Sequence, residues 1–287
     1  MMLRIGTCSW KFDSWEGLVY SEKGKDNYLE EYAEQYNTVE VDQWFWSLFG
    51  KGKPKLPDPR AVEEYLQSVP PGFTFSVKVP NSITLTHYYQ RDKSAPLTGN
   101  PYFFSVELFE QFLERIEPLK EHLGPLMFQF EYLNKKKMPA QGEFLKKFAA
   151  FIDRCPGGYD YAVETRNPNY LNRSYFEFLN RYNLRHVFVQ GYYMPHIAGI
   201  YRQFAGYIKD LTVIRLMGPD RKGIEQKSGK KWDQVVEAKD EDLATIVTLI
   251  KELEEKGVRV YLNINNHYEG SAPLTIRKVR EMLEELE

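Results

Sequence analysis

The feature that most constrains this chain is a regular alternation. Short apolar runs rich in β-branched and aromatic residues are each followed by a segment with helical periodicity. Strand patterns occupy 3–8, 38–42, 73–79, 125–130, 159–165, 185–190, 211–217 and 258–264. Helical patterns fill 27–36, 59–68, 105–121, 141–153, 174–181, 197–207, 240–256 and 272–286. Eight strand–helix units without a low-complexity linker predict an α/β fold of the (β/α)8 TIM-barrel type, as one domain over 1–287. A doubly wound sheet is the competitor. It would more often carry a glycine-rich phosphate loop after the first strand, and "GTCSWKFDSWEG" lacks one. No cofactor is predicted. Ser174, with Glu177 three residues on, forms a capping box that predicts a helix start.

Three connections are long: 43–58 after strand 2, 80–104 after strand 3 and 218–234 after strand 7. All follow strand C-termini, the face on which barrel enzymes build their sites. The last contains "DRKGIEQKSGKK", a basic, glycine-containing run suited to a mobile phosphate-binding loop, although most such runs are solvated surface.

Side chains alternate faces along a strand, so the polar residues can be sorted. In "YAVETRNP", Ala162, Glu164 and Arg166 share one face while Tyr161 and Val163 share the other, and Pro168 ends the strand. The same alternation aligns Glu40 with Asp42, sets Lys78 with Thr74 and Ser76, and isolates Gln129 between Phe128 and Phe130. It sets Arg215 against Ile214 and Leu216, and Asn263 with Asn265 against Leu262 and Ile264. In a barrel the apolar partners meet the helices and these polar groups point inward, mostly near strand C-termini. Burying so many charges is unfavourable unless they pair or meet a ligand. Two carboxylates, Glu40 and Glu164, face three cations, Lys78, Arg166 and Arg215. The excess leaves room for an anionic ligand group, unless Asp42 balances it. A structural ion network is the competing explanation, and the clustering at one barrel end favours a functional pocket.

Composition narrows the partners. The chain has 38 basic and 40 acidic residues, a net charge of −2, which provides no global attraction to nucleic acid or anionic membrane. No apolar run of about 18 residues is present, so no membrane span is expected. The two cysteines, Cys8 and Cys155, fit neither a disulfide framework nor a zinc cluster and point to a reducing cytoplasm. Residues 1–2 lead straight into the first strand pattern without a basic n-region and apolar h-region, so no signal peptide is expected. Cys8 reads as a small buried thiol. His87 and His267 follow strand ends but lack ligand spacing, so no metal site is assigned. The run "WFWSLF" (44–49), with Trp10 and Trp15 after strand 1, suggests an aromatic wall over the barrel mouth.

Several segments together resemble the DUF72, or YecE-like, family. "GTCSW" is similar to its G-T/S-x-x-W opening, "NTVEVDQWF" to N-T-V-E-I/V-x-x-x-F and "FTFSVKV" to F-x-F/V-x-V-K. Thr86-His87, "LGPLMFQF", "VETRNP", "RLMG" and "NINNHYEGSAP" follow in the family's order over nearly the whole chain. The resemblance implies a TIM barrel with a pocket shared by Glu40, Lys78, His87, Gln129, Glu164, Arg166, Arg215 and Asn266. It implies no reaction, because the family has no established activity. A suggested distant likeness to xylose-isomerase and endonuclease-IV barrels raises sugars and nucleic acids as ligands. Met217 and Asn167 stand where many members have histidine, and Thr275 where asparagine is common, which weakens any metal chemistry.

These readings combine into an enzyme with hydrolase-like acid–base chemistry on a small polar, anionic or sugar-like molecule. Glu164 and Glu40 are the acid–base candidates, Lys78, Arg166 and Arg215 the anion clamps, and Gln129, Asn265 and Asn266 the orienting groups. His87 and Trp10 complete the expected substrate contacts. A nucleic-acid-binding or nuclease-like barrel is the alternative, with tryptophan and tyrosine stacking bases. A non-catalytic small-ligand binder is the third reading. Oligomeric state is left open.

Overall fold

The computed structural model describes residues 2–21, 27–48, 52–89, 92 and 94–286. Eight strands follow the chain: β1 (Leu3–Thr7), β2 (Thr38–Val41), β3 (Thr74–Lys78), β4 (Leu123–Gln129), β5 (Tyr161–Glu164), β6 (Arg185–Gly191), β7 (Leu211–Gly218) and β8 (Arg259–Ile264). Every ladder is parallel, and the order β1-β8-β7-β6-β5-β4-β3-β2 wraps the sheet around. The seam between β1 and β2 is drawn together by one parallel bridge, Cys8 with Glu40, and by the Ser9 amide donating to the Glu40 carbonyl at 3.1 Å. The expected (β/α)8 barrel is the fold.

Between strands run α1 (Tyr28–Gln35), α2 (Pro59–Gln67), α3 (Asn81–Thr84), α4 (Val106–Ile116), α5 (Gln141–Ile152), α6 (Arg173–Arg181), α7 (Ile197–Phe204), α8 (Arg221–Ser228), α9 (Asp240–Glu255) and α10 (Ala272–Glu284). Three local expectations change. The helix expected over 105–121 stops at Ile116 and continues as a 3-10 turn, Glu117–His122, because Pro118 has no N–H for an α-helical bond. Asn172, not Ser174, caps α6, its side chain accepting from the Tyr175 amide; Glu177 is left to pair with Arg173 at 2.7 Å. The basic segment after β7 is no open loop but folds into α8, capped by Asp220 and ended by Gly229 in the left-handed conformation. Residues 49–51 of the connection after β2, and 90, 91 and 93 of that after β3, lie outside the described residues.

Parity works as expected on most strands. Outward residues such as Val39, Phe75, Phe128, Val163, Ile214 and Leu262 pack under the helices. Inward, Met127, Ala162, Val187, Val213 and Tyr261 form a smaller second core inside the barrel. The phenylalanine content goes mainly to the outer layer. Phe104, Phe109, Phe128, Phe130, Phe144, Phe148 and Phe151 form one ring cluster between β4 and helices α4 and α5, with centroids such as Phe128–Phe148 at 5.7 Å.

The seam depends on one missing side chain. A Cβ on Gly6 would lie 2.0 Å from the Thr38 carbonyl oxygen, so β1 and β2 can approach only with glycine there. Gly6→Ala is expected to cost about 1–3 kcal/mol or more through forced separation of the seam. Gly199→Ala, on the exposed face of α7 with nothing within 4 Å, should instead stabilise by about 0.4–1 kcal/mol. Urea midpoints of the two variants check the contrast.

Candidate functional site

Strand register brings the inward polar residues into one layer at the C-terminal half of the barrel. Gln129 pairs with Glu164, Arg215 with Asn263, and Glu40 with Ser76. At the centre stands Arg215 from β7. Its Nε and Nη2 donate to the two carboxylate oxygens of Glu40, each at 2.7 Å, and its Nη1 donates to Glu164 Oε2 at 2.5 Å and to Gln129 Oε1 at 3.3 Å. The other oxygen of Glu164 accepts from Arg166 Nε at 2.5 Å. Asn263 links this cluster to β3, its Nδ2 donating to Ser76 Oγ at 2.9 Å and reaching Glu40 at 3.4 Å. Arg215, Glu40 and Glu164 are 2%, 0% and 1% exposed, so the cluster is screened by almost no water.

That arrangement sets the protonation of its members. Burial pushes the Glu164 carboxyl upward, but Arg166 and Arg215 outweigh burial and hold it at about 2. Glu164 is therefore an anion with both oxygens occupied. Arg215 stays charged against its own burial because Glu164 and Glu40 face it.

Above the cluster lies a cavity of about 420 Å³, within the size range of small-molecule sites. Glu40, Asp42, Lys78, Gln129, Arg166, Arg215, Asn265 and Asn266 all line it. Lys78 is the exceptional member. Only 8% exposed, its ammonium sits 3.9 Å from the centroid of the Phe45 ring and makes no hydrogen bond or ion pair among the described residues. Burial and Arg215 lower its pKa, against the pull of Glu40, Asp42 and Glu164. Asp42 moves the other way: burial, then the neighbouring Glu40 charge, raises it. Asn266 accepts from the Ala272 amide through Oδ1, while its buried Nδ2 has no partner among the described residues.

Of the remaining lining residues, Phe45 and Trp46 belong to the aromatic run expected as a wall and Arg221 to the basic run after β7, whereas Lys11, Tyr192 and Trp232 carry no expectation as ligand contacts. Phe45, Trp46, Tyr192 and Trp232 form the walls, Lys11 and Arg221 the charged rim. Tyr192 carries the Arg166 guanidinium 4.2 Å above its ring. Position after a strand C-terminus was the available signal for Tyr192, in "GYYM" directly behind β6. Ser9 and Tyr192 both line the cavity with left-handed backbones, φ 72° and 53°, conformations that non-glycine residues adopt at some cost and that concentrate at functional sites. A wider groove of about 860 Å³ adjoins the cavity, sharing Gln129, Arg166 and Tyr192 and adding Tyr132 and Tyr193.

Two expected contacts lie elsewhere. Trp10 is 2% exposed in the outer core, edge-on to Tyr65 at 5.0 Å, and Trp15 and Trp44 are buried with it. An indole's large apolar area is worth more under the helices than at a wet rim. Of the "WFWSLF" run, Phe45 and Trp46 face the cavity, while Phe49 lies outside the described residues. His87 is not among the residues lining the cavity; its Nδ1 meets Thr86 Oγ1 at 2.8 Å, and burial and Lys137 lower its pKa. His267 does line it, held between Asn265 and Glu225. Cys8 also borders the cavity, its thiol pushed well up by burial and by Glu40. Met217 lines the pocket beside Cys8. Asn167 instead ties down the chain after β4, bonding both Leu133 main-chain groups, and Thr275 is buried against Glu269. Among the described residues no three of His, Cys, Asp and Glu gather as a metal-holding group.

A family model described as "Protein of unknown function DUF72" matches residues 4–287. The chain belongs to the DUF72 family. Its sequence is 28% identical over 171 residues to the UPF0759 protein YecE of Escherichia coli K12, and equally to that of strain O157:H7. These alignments cover 59% of this chain and 50% of the relative, so the chain spans about half the length of the curated relatives it matches. A DUF72 family protein from Thermotoga maritima MSB8 superposes with a TM-score of 0.70 at 23% identity, covering 99% of this chain and 100% of that one. One from Enterococcus faecalis V583 gives 0.69 at 19% identity, covering 99% and 96%. These structures share the DUF72 barrel. No described helix is long and apolar enough to cross a membrane.

Removing Arg215 would strand two buried carboxylates. Arg215→Met is expected to destabilise by roughly 3–5 kcal/mol, read from chemical denaturation. Glu164, held at about 2 against an ordinary 4.5, contributes stability that is present above the ordinary value and lost as pH falls through about 2. Glu164→Gln should therefore flatten the stability curve across that acid window, and an unchanged slope would contradict the ion cluster.

Proposed function

We propose that the barrel mouth binds a small anionic, oxygen-rich molecule and acts on it by proton transfer. The observation that carries this is Lys78: a buried ammonium at the cavity wall with no carboxylate partner among the described residues. An unpaired buried cation is unfavourable until an anion joins it. A ligand carboxylate or phosphate supplies that countercharge, with Arg166 as a second donor. Gln129, Asn265 and Asn266, which line the cavity, hydrogen-bond to its polar groups.

Lys78 and Asp42 are the proton-exchanging pair in this reading. Their pKa values are displaced toward each other, the lysine downward and the aspartate upward, the directions that favour proton exchange between a base and an acid. Glu164 and Glu40, the acid–base candidates from sequence, act through the guanidinium groups they hold. A two-carboxylate hydrolysis needs a carboxyl free to protonate the leaving group. Both of these are saturated by arginine, so any hydrolytic variant would draw its base from Lys78.

Calorimetric titration with phosphate and with lactate tests the site. A charged hydrogen bond contributes about 1.5–3 kcal/mol, so Lys78→Met should weaken binding by about tenfold or more. Equal affinity in the variant would remove the reading. The exposed rings of Tyr132 and Tyr193, at 59% and 95%, favour a second one, single-stranded nucleic acid lying along the adjoining groove. Oligonucleotide binding that collapses between about 50 and about 200 mM salt would support it; no binding at low salt would leave the small-molecule reading alone.

A further inference from the structure

Resting on the anion-binding reading above, we propose that Lys78 is a nucleophile that condenses with the carbonyl of a small anionic aldehyde or ketone, forming an imine. Its placement is rigid. Lys78 closes β3, in register with Met127, and the next amide, of Val79, donates to the Met127 carbonyl at 3.0 Å. The side chain lines the cavity at the barrel mouth.

A lysine kept only for its charge would sit against a carboxylate. Here Glu40 and Glu164 are taken by Arg215 and Arg166, at distances of 2.5–2.7 Å, and Lys78 has the face of Phe45 instead. Facing Lys78 electrostatically are Arg215, Glu40, Asp42 and Glu164, contributed by β7, β2, the end of β2 and β5. The guanidinium disfavours a second positive charge nearby, and burial does so more strongly. Both effects shift the balance toward the neutral amine, the form that can act as a nucleophile. The other buried nucleophile bordering the cavity, Cys8, is tuned oppositely: burial and Glu40 keep its proton on sulfur.

The step balances within the site. The neutral Nζ attacks the carbonyl carbon, a C–N bond forms, and the carbonyl oxygen takes a proton from the Asp42 carboxyl. The nitrogen then loses one proton to the Asp42 carboxylate, giving a neutral carbinolamine. Asp42 returns that proton to the hydroxyl, which departs as water while the nitrogen lone pair forms C=N. The net change is amine plus carbonyl plus one proton, giving a cationic iminium and water, with no oxidant or reductant. The bound anion and the carboxylates around Lys78 face the iminium charge.

The test uses the full chain with glyoxylate and with pyruvate, reduced by sodium borohydride at neutral pH and read by intact mass and peptide mapping. A single saturable adduct on the peptide carrying Lys78, absent in Lys78→Arg, is the expected result. The arginine keeps the charge and lacks the nucleophilic amine. If that variant fails to fold, mapping of the wild type decides, comparing native protein with protein denatured before labelling: only the native fold should favour Lys78. Label spread over surface lysines without enrichment at Lys78 would overturn the proposal. Lactate, which carries the anion without the carbonyl, separates the two readings. Lactate binding without trapping at Lys78 removes the nucleophile alone, and failure of both removes the anion site with it.

Discussion

One guanidinium organises the interior of this barrel. Arg215 spans the space between β2 and β5, holding Glu40 with two nitrogens and Glu164 with the third. A buried charge cluster is tolerable only when every lone pair and proton is used, because water cannot make good a missing partner. Here Arg166, Gln129 and the Asn263 amide nitrogen supply further partners, Ser76 ties the cluster to a further strand, and the buried Asn263 Oδ1 is left without a partner among the described residues. The cluster fixes inward residues of β2, β4, β5, β7 and β8 relative to one another, which is what a site assembled from separate strands requires.

The same interaction explains why Lys78 stands apart. With both nearby glutamates committed to arginine, Lys78 has no carboxylate bonded to it among the described residues; Asp42 acts on it only through its charge, and Arg215 lies close enough to repel it. Asp42 then shares the cavity with a group whose pKa moves toward its own. The electrostatic character of the mouth follows from how the charges below it are paired, not from the number of charged residues. Structure elsewhere is arranged around this layer. The phenylalanine cluster under α4 and α5 and the buried tryptophans supply apolar stabilisation on the outside, so the inner C-terminal half need not be apolar.

Much of this is legible in the amino-acid sequence. Parity along "YAVETRNP", "VEVD" and "VIRLM" correctly assigned Glu164, Arg166, Glu40 and Arg215 to the interior, because alternation in a strand is a local property of the backbone. Trp10 and His87 were misplaced for the opposite reason. Each follows a strand C-terminus, but a loop residue has no period, and only the packing around it decides whether it turns toward the mouth or away. For Trp10 the space beside Tyr65 under the helices decided it. The cap of α6 shows the same limit at short range. Ser174 and Asn172 are both good caps by type, and the turn after Pro168–Tyr170 brings Asn172 to the helix start.

The amino-acid order by itself therefore determined the succession of the eight strands and the helix patterns between them, the barrel class, the inward set of charges and the end at which they gather, but not α3 and α8. All of these depend on periodicity and residue type within short segments. Only the tertiary structure decided how those charges divide: Arg215 bonded to two glutamates, Glu164 saturated by two arginines, and Lys78 left with an aromatic face and open space. Pairing is a matter of distances between strands far apart in sequence, such as the 175 residues separating Glu40 from Arg215, and a linear pattern carries no such distances.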